Sequence, residues 1–307
     1  MTSLRAHLLN QALKLSVKKR LHNAQITPQE IARSRKRINR LGLAAAKRKT
    51  GDVSFTTETL NDVGVCWCEP KTPSPAPRPV LLHYHGGAYL VGSSSAYRGL
   101  GANLALAANA RVALIDYALA PESPFPAAPN DALTAYKRLL ELGHRPEDIA
   151  ISGDSAGGNL ALVTLQNIVS SGLPQVAAAV LLSPWSDLTA SGTSITQNAQ
   201  AEAMLPSTRL QEAARLYAGS TPLDDPRVSP LFGDFHGLPP LLIHVGAREI
   251  LRDDARRVHE RTQCAGVASK LKEWPGMPHV FQAFADIIPE GEQAINEIAG
   301  WLGSHWG

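Results

Sequence analysis

Short runs of almost uninterrupted apolar residues, most of them separated by stretches of helical periodicity, constrain this chain more than any other feature. They lie at residues 80–84, 112–115, 149–151, 177–182 and 241–245, with a further β-type run at 269–273. A strand that is apolar on both sides needs cover on both sides, and the intervening helices supply it. The alternation predicts a mostly parallel central sheet flanked by helices. Two more strand-like runs, 53–57 and 63–68, precede this region, and five prolines from Pro70 to Pro79 make a stiff surface connection.

Two helices are expected before the first strand. Leu9, Leu13, Val17 and Leu21 recur every four residues, as one face of a helix does. Thr27-Pro28-Gln29-Glu30 is a start signal with Thr27 as N-cap, and Ile31, Ile38 and Leu41 supply the apolar side of the helix that follows. Asn130 is expected to cap a helix running to Leu142 and closed by Gly143. Residues 185–219 break the alternation, being polar and then helical from Ser207 to Tyr217. The expected organisation is an N-terminal helical cap segment over residues 1–50 and a main domain over 51–307, with 185–219 as a second cap segment above the carboxyl edge of the sheet.

Composition excludes some classes. Of 307 residues 44 % are hydrophobic and 19 % charged, with a net charge of +3, ordinary for a globular chain. Basic residues crowd the first fifty positions (Lys18-Lys19-Arg20, Arg35-Lys36-Arg37 and Lys47-Arg48-Lys49 among them) against the single acid Glu30, which reads as a solvated helix face. No base-reading motif accompanies them, so no nucleic-acid partner is expected. Cys66 and Cys68 share a strand face and cannot easily bridge each other; with Cys264 they read as reduced thiols, and no metal-ligand spacing surrounds them. No apolar stretch reaches spanning length and Lys14 interrupts any secretory core, so a cytoplasmic chain without stable membrane insertion is expected.

Chemistry enters at Gly153-Asp154-Ser155-Ala156-Gly157, directly after the run 149–151 and before a helical stretch. Strand, G-x-S-x-G, helix is the layout of a nucleophile elbow, in which a sharp turn projects a serine hydroxyl beside helix N-terminal N–H groups. A serine is a weak nucleophile alone and needs a base, an orienting acid and donors for the oxyanion. His85-Gly86-Gly87-Ala88, after the run 80–84, offers such donors, because small residues leave their N–H groups unshielded.

With these motifs, and with Asp116-Tyr117-Ala118-Leu119-Ala120-Pro121-Glu122-Ser123-Pro124-Phe125-Pro126-Ala127, the chain resembles the bacterial hormone-sensitive-lipase-like carboxylesterases, or family IV, of the α/β-hydrolase fold. The resemblance runs from about residue 80 to 279 and departs from the family pattern at Ala88, where a third glycine is usual. It implies Ser155 as nucleophile and an oxyanion hole of Gly86, Gly87, Ala88 and Ala156. Aligned on Leu-Arg-Asp, the family's acid falls on Glu249. Asp253 competes for that role, though it sits where the next helix needs an N-cap. Of the histidines that follow, His259 lies within a helix and His305 at the terminus, whereas His279 occupies a proline-fixed loop that also matches the family's histidine loop. Glu122 would brace the His-Gly-Gly loop. His83 and His244 read as hydrogen-bonded structural groups, and Asp154 as a carboxylate favoured at a helix start. The implied activity is hydrolysis of short- to medium-chain esters with no cofactor or metal; a homodimer is compatible with the sequence. Lactone or amide hydrolysis by the same residues is the nearest alternative. A non-catalytic ligand-binding homologue is the more distant one.

Overall fold

The computed structural model of the chain describes residues 2–47, 49 and 51–307. Its strands are β1 (Val53–Leu60), β2 (Val63–Pro70), β3 (Val80–Tyr84), β4 (Arg111–Asp116), β5 (Ile149–Asp154), β6 (Ala178–Leu182), β7 (Leu241–Gly246) and β8 (Ser269–Trp274). They form one eight-stranded sheet in the order β1-β2-β4-β3-β5-β6-β7-β8. Strand β2 runs antiparallel to both its neighbours, and every pairing from β4 to β8 is parallel. The apolar runs therefore became parallel strands.

The two faces of the sheet follow from the period-2 alternation of side chains. Leu81, Val112, Ala150, Val180 and Leu242 point into one core layer, shared with α4 (Ser94–Ala108) and α10 (Pro289–Gly303). Leu82, Ala113, Ile151, Leu181 and Ile243 point into the other, shared with α5 (Ala127–Glu141), α6 (Ala156–Ser170) and α9 (Arg252–Cys264). Each large side chain removed from water this way contributes roughly 1.5–3 kcal/mol. The chain crosses from β4 on one side of β3 to β5 on the other. The loops after β3 and β5 consequently open side by side at the carboxyl edge, where open α/β sheets bind ligands.

The N-terminal region is helical, with differences in detail. Helix α1 (Leu4–Leu13) passes through a π-helical turn (Lys14–Lys18) into α2 (Lys19–Asn23). Of its expected apolar face only Leu13 is fully buried. Helix α3 (Pro28–Lys47) starts as predicted, with the Glu30 N–H bonded to Thr27 Oγ1 at 3.3 Å. Its packed side is only in part the one read from the sequence: Ile31 is buried as expected, but Leu41 is 66 % exposed, and Gly42 and Ala46 are buried toward the end of the helix, because α3 meets α4 through small residues at close range. Helix α5 also starts earlier than Asn130. Pro126 occupies its cap position and the Asn130 N–H already bonds to the Pro126 carbonyl at 3.2 Å. Residues 185–219 hold the short helix α7 (Ser194–Gln197) and α8 (Ser207–Ala218). Among the described residues no helix is long and apolar enough to cross a membrane.

Candidate active site

Ser155 stands between β5 and α6 with φ 53° and ψ −119°, a region costly for a residue with a Cβ. The conformation is held from several sides. Its N–H donates to the Leu182 carbonyl at 2.9 Å, and its own carbonyl accepts from the N–H groups of Asn159 at 3.1 Å and Trp185 at 3.0 Å. Gly157 makes the turn fit its surroundings: a Cβ there would lie 1.9 Å from the Tyr84 carbonyl oxygen. The elbow can therefore press against the end of β3, which sets Ser155 beside the loop that begins at His85.

That loop is wound tightly. Gly87 has φ 119°, and a Cβ on it would lie 2.1 Å from the Val91 carbonyl oxygen; Ala88 and Tyr89 follow at φ 55° and 62°. Ala88 thus occupies the left-handed region that a third glycine would enter freely, at a cost of roughly 1–2 kcal/mol. Among the described residues the N–H groups of Gly87, Ala88 and Ala156 have no acceptor. The Gly86 N–H does: it donates to Asp154 Oδ1 at 2.9 Å, with Tyr97 Oη also at 3.0 Å. This corrects the sequence expectation for Gly86, whose N–H is spent on bracing the loop. Asp154 is the brace. Its Oδ2 accepts from the Tyr97 hydroxyl at 2.8 Å, and His83, bonded to Ser152 at 2.8 Å, stands 3.3 Å from Oδ1. A Gly87→Ala variant is expected to lose at least about 10²-fold in kcat, because its loop must unwind to clear Val91 and the unpaired N–H groups move with it; steady-state kinetics beside a melting curve check it.

On the far side of β5, Glu249 is 1 % exposed and receives the His279 imidazole, Nδ1 to Oε2, at 2.7 Å. Its other oxygen accepts from the Ser183 hydroxyl at 2.7 Å and from the Gly246 N–H. Ser183 Oγ in turn accepts the Val280 N–H at 3.3 Å, so one hydroxyl ties the acid to the loop that carries the histidine. Burial alone would push the imidazole's pKa down. The hydrogen bond to Glu249 and the charges of Glu249, Glu202 and Asp154 outweigh it and hold His279 above the ordinary imidazole range. No hydrogen bond joins Ser155 Oγ to His279 among the described residues, and the two keep 9 % and 4 % exposure. Their loops are coupled through residues 183–185, since Trp185 bonds to Ser155 and Ser183 to Val280.

Asp253 goes elsewhere. It neither caps α9, which begins at Arg252, nor reaches the imidazole; its carboxylate accepts from Thr193 Oγ1 at 2.7 Å and the Ser194 N–H at 2.8 Å. Glu122 acts on the His-Gly-Gly loop only through Arg35, which grips Glu122 with both terminal nitrogens at 2.9 Å and donates from Nε to the Leu90 carbonyl at 2.8 Å. His244 differs from expectation as well. Among the described residues neither ring nitrogen has a hydrogen-bond partner, and burial pushes its pKa to about 4, so it packs as a neutral ring edge-on to Trp274. His259 on α9 bonds to Ser269 of β8, and His305 to the carbonyl of Trp301. Sequence reading missed Ser183, Tyr97 and Glu202, none of which sits in a recognisable motif.

Comparison with known proteins bears on what such an arrangement belongs to. The α/β hydrolase fold family matches residues 81–283. An acetyl-hydrolase of Streptomyces hygroscopicus is 40 % identical over 278 residues, covering 91 % of this chain and 89 % of that one. An esterase of Acinetobacter venetianus is 40 % identical over 221 residues, 72 % of this chain and 73 % of its own. A solved esterase from the bacterial hormone-sensitive lipase family superposes over 100 % of both chains with TM-score 0.89 at 36 % identity. The chain belongs to this family of α/β hydrolases. A further solved member, an esterase soaked with p-nitrophenyl butyrate, superposes over 99 % of both chains with TM-score 0.91 at 33 % identity. This carboxylesterase thus carries its serine, its buried Glu–His pair and its unpaired N–H groups on the carboxyl edge of one sheet.

Proposed function

We propose that the esterase hydrolyses short- to medium-chain acyl esters through Ser155, His279 and Glu249 and an acyl-enzyme. The observation that carries this reading is the buried 2.7 Å bond from Glu249 to His279, set in loops that are hydrogen-bonded to the strained Ser155 turn. His279 Nε2 takes the hydroxyl proton as Ser155 Oγ attacks the ester carbonyl, and Glu249 holds the Nδ1–H tautomer and stabilises the imidazolium. The N–H groups of Gly87, Ala88 and Ala156 receive the oxyanion. As the C–O bond breaks, His279 returns the proton to the leaving alcohol. Water, deprotonated by His279, then attacks the acyl-Ser155 ester; the acid leaves and Ser155 regains its proton.

The described residues of the 1–50 segment and residues 185–219 form a cap over this edge in the same reading. Tyr89, from the oxyanion loop, stacks on Tyr217 of α8 with ring centroids 3.6 Å apart, so α8 lies across the loop. Arg209 of α8 donates to the His22 carbonyl at 3.1 Å, which joins the two segments. A cap of this kind would limit acyl length, in keeping with the acetyl-hydrolase name of one relative.

The test is a hydrolysis panel of p-nitrophenyl acetate, butyrate and palmitate, with lactones and an anilide, run beside Ser155→Ala. Acetate and butyrate are expected to turn over at least about tenfold faster than palmitate, a difference of ~1.4 kcal/mol in the barrier. The acid limb of kcat/KM should lie above the ordinary imidazole range, because the base works only when neutral and its pKa is raised. Preference for the lactone or the anilide would replace the ester reading.

A further inference from the structure

Glu202 is a buried carboxylate that the reaction as described does not use. It lies in the turn between α7 and α8 and is 1 % exposed. Its Oε1 accepts from the Met204 N–H at 2.8 Å and the Leu205 N–H at 3.4 Å, and its Oε2 accepts from the N–H of Ile250, the residue after Glu249, at 3.1 Å. Among the described residues no side-chain cation lies on this carboxylate, which accepts from backbone N–H groups and is placed by the backbone it holds. The same stretch grips the acid loop at further points. Asn198 Nδ2 donates to the Glu249 carbonyl at 2.8 Å, and Ser194 Oγ to the Ile250 carbonyl at 2.7 Å. From the other side, Lys18, in the π-helical turn, reaches in with its ammonium and donates to the carbonyls of Ala199 at 2.7 Å and Glu202 at 2.9 Å.

We infer that Glu202 is a positioning residue for ester hydrolysis: seated by Lys18 of the N-terminal helix, it fixes the backbone of the Glu249 loop and sets a second negative charge beside the Glu249–His279 pair. The inference rests on Ser155, Glu249 and His279 acting as proposed above. Two consequences follow from the charge. The imidazolium formed as Ser155 attacks is stabilised by Glu202 as well as by Glu249, since both carboxylates raise the pKa of His279. Burial and the neighbouring Glu249 raise the pKa of Glu202 itself, while His279 and the N–H groups of Met204 and Ile250 act to keep it ionised. The groups that face this pair are Asp154 beyond His279 and Lys18 beyond Glu202. His7, Lys14 and Arg248 stand on the wall of a cavity of about 270 Å³ that Glu202 and Glu249 also line. Removing the Glu202 charge therefore destabilises the protonated imidazole and slackens the loop that aims the acid. Neither effect requires Glu202 to touch substrate.

The experiment measures p-nitrophenyl acetate hydrolysis by the full-length enzyme from about pH 5 to 9, for the wild type and for Glu202→Gln, Glu202→Asp, Lys18→Met and Ser155→Ala. Glu202→Gln should lower kcat about tenfold or more with KM within about threefold, and move the acid limb of kcat/KM to lower pH by at least ~0.5 unit. Glu202→Asp, which keeps the charge, should return the limb to within ~0.2 unit of the wild type. Lys18→Met, at the edge of the network, should lower kcat about threefold. An acid limb unmoved in Glu202→Gln, or moved equally in Glu202→Asp, overturns the inference. Should Glu202→Gln fail to fold, an unchanged kcat in Lys18→Met with a normal Glu202→Asp profile overturns it as well. Retained activity in Ser155→Ala instead removes the nucleophile assignment, and that outcome is read independently of the Glu202 variants.

Discussion

Replacing Ser155 by alanine is expected to lower kcat/KM for p-nitrophenyl acetate by about 10⁴-fold or more. The melting temperature should stay within ~2 °C of the parent. The two halves of this expectation have separate causes. Ser155 Oγ makes no hydrogen bond to any described residue, so its removal takes no contact from the fold. The bonds that hold the turn at φ 53° all use the backbone of residue 155, which alanine retains. Activity loss without stability loss is therefore the signature of a nucleophile. In the proposed mechanism the residual rate reports what the N–H groups of Gly87, Ala88 and Ala156 do for an attacking water. A variant that kept more than about a tenth of its activity would place the nucleophile elsewhere.

The acid gives the second large effect. Glu249→Gln should lower kcat by about 10³–10⁴-fold, while Asp253→Asn should change it less than about threefold. In Glu249→Gln the negative charge that supports the imidazolium is gone. An amide nitrogen must also face either the Nδ1–H of His279 or the donors Ser183 Oγ–H and Gly246 N–H, so one donor pair clashes in each orientation. Among the described residues the Asp253 carboxylate bonds to Thr193, Ser194 and Arg252 and pairs with Arg256 at 3.8 Å, so Asp253→Asn should cost stability, about 0.5–1.5 kcal/mol, and spare chemistry. Chemical denaturation beside steady-state kinetics separates the two. A large kcat loss in Asp253→Asn with an active Glu249→Gln would reverse the assignment.

How much of this was legible in the sequence depended on whether a feature was local. The strands from β3 to β8 were readable within a residue or two, except that β5 runs three residues past its apolar stretch to Asp154, because a buried parallel strand is a continuous apolar run wherever it lies. The elbow and the His-Gly-Gly loop were readable as motifs, since each is a short turn whose backbone dictates its residues. What a given N–H does is not local. Gly86 resembles Gly87 in the sequence, yet Asp154, brought beside it by the pairing of β3 with β5, takes up its donor. The same limit hid Glu202, which stands in a turn without periodicity and meets Ile250 only once the cap segment folds onto the acid loop. Leu41 looked like core because leucine on a helix face usually is, but the close approach of α3 to α4 selects Gly42 and leaves Leu41 in water. Asp253 had the right residue type for an N-cap, and tertiary contacts with residues 193 and 194 claimed it instead.

The central claim is that one hydroxyl, Ser155 Oγ, forms the covalent bond to the acyl group. Treating the wild type and His279→Ala with a fluorophosphonate, then mapping the adduct by tandem mass spectrometry, tests it most directly. One stoichiometric adduct is expected on the peptide carrying Ser155 in the wild type, with labelling slowed by at least about 10²-fold in His279→Ala, which lacks the proposed general base. An adduct on another residue, or none at all in an enzyme that still turns over ester, would contradict it.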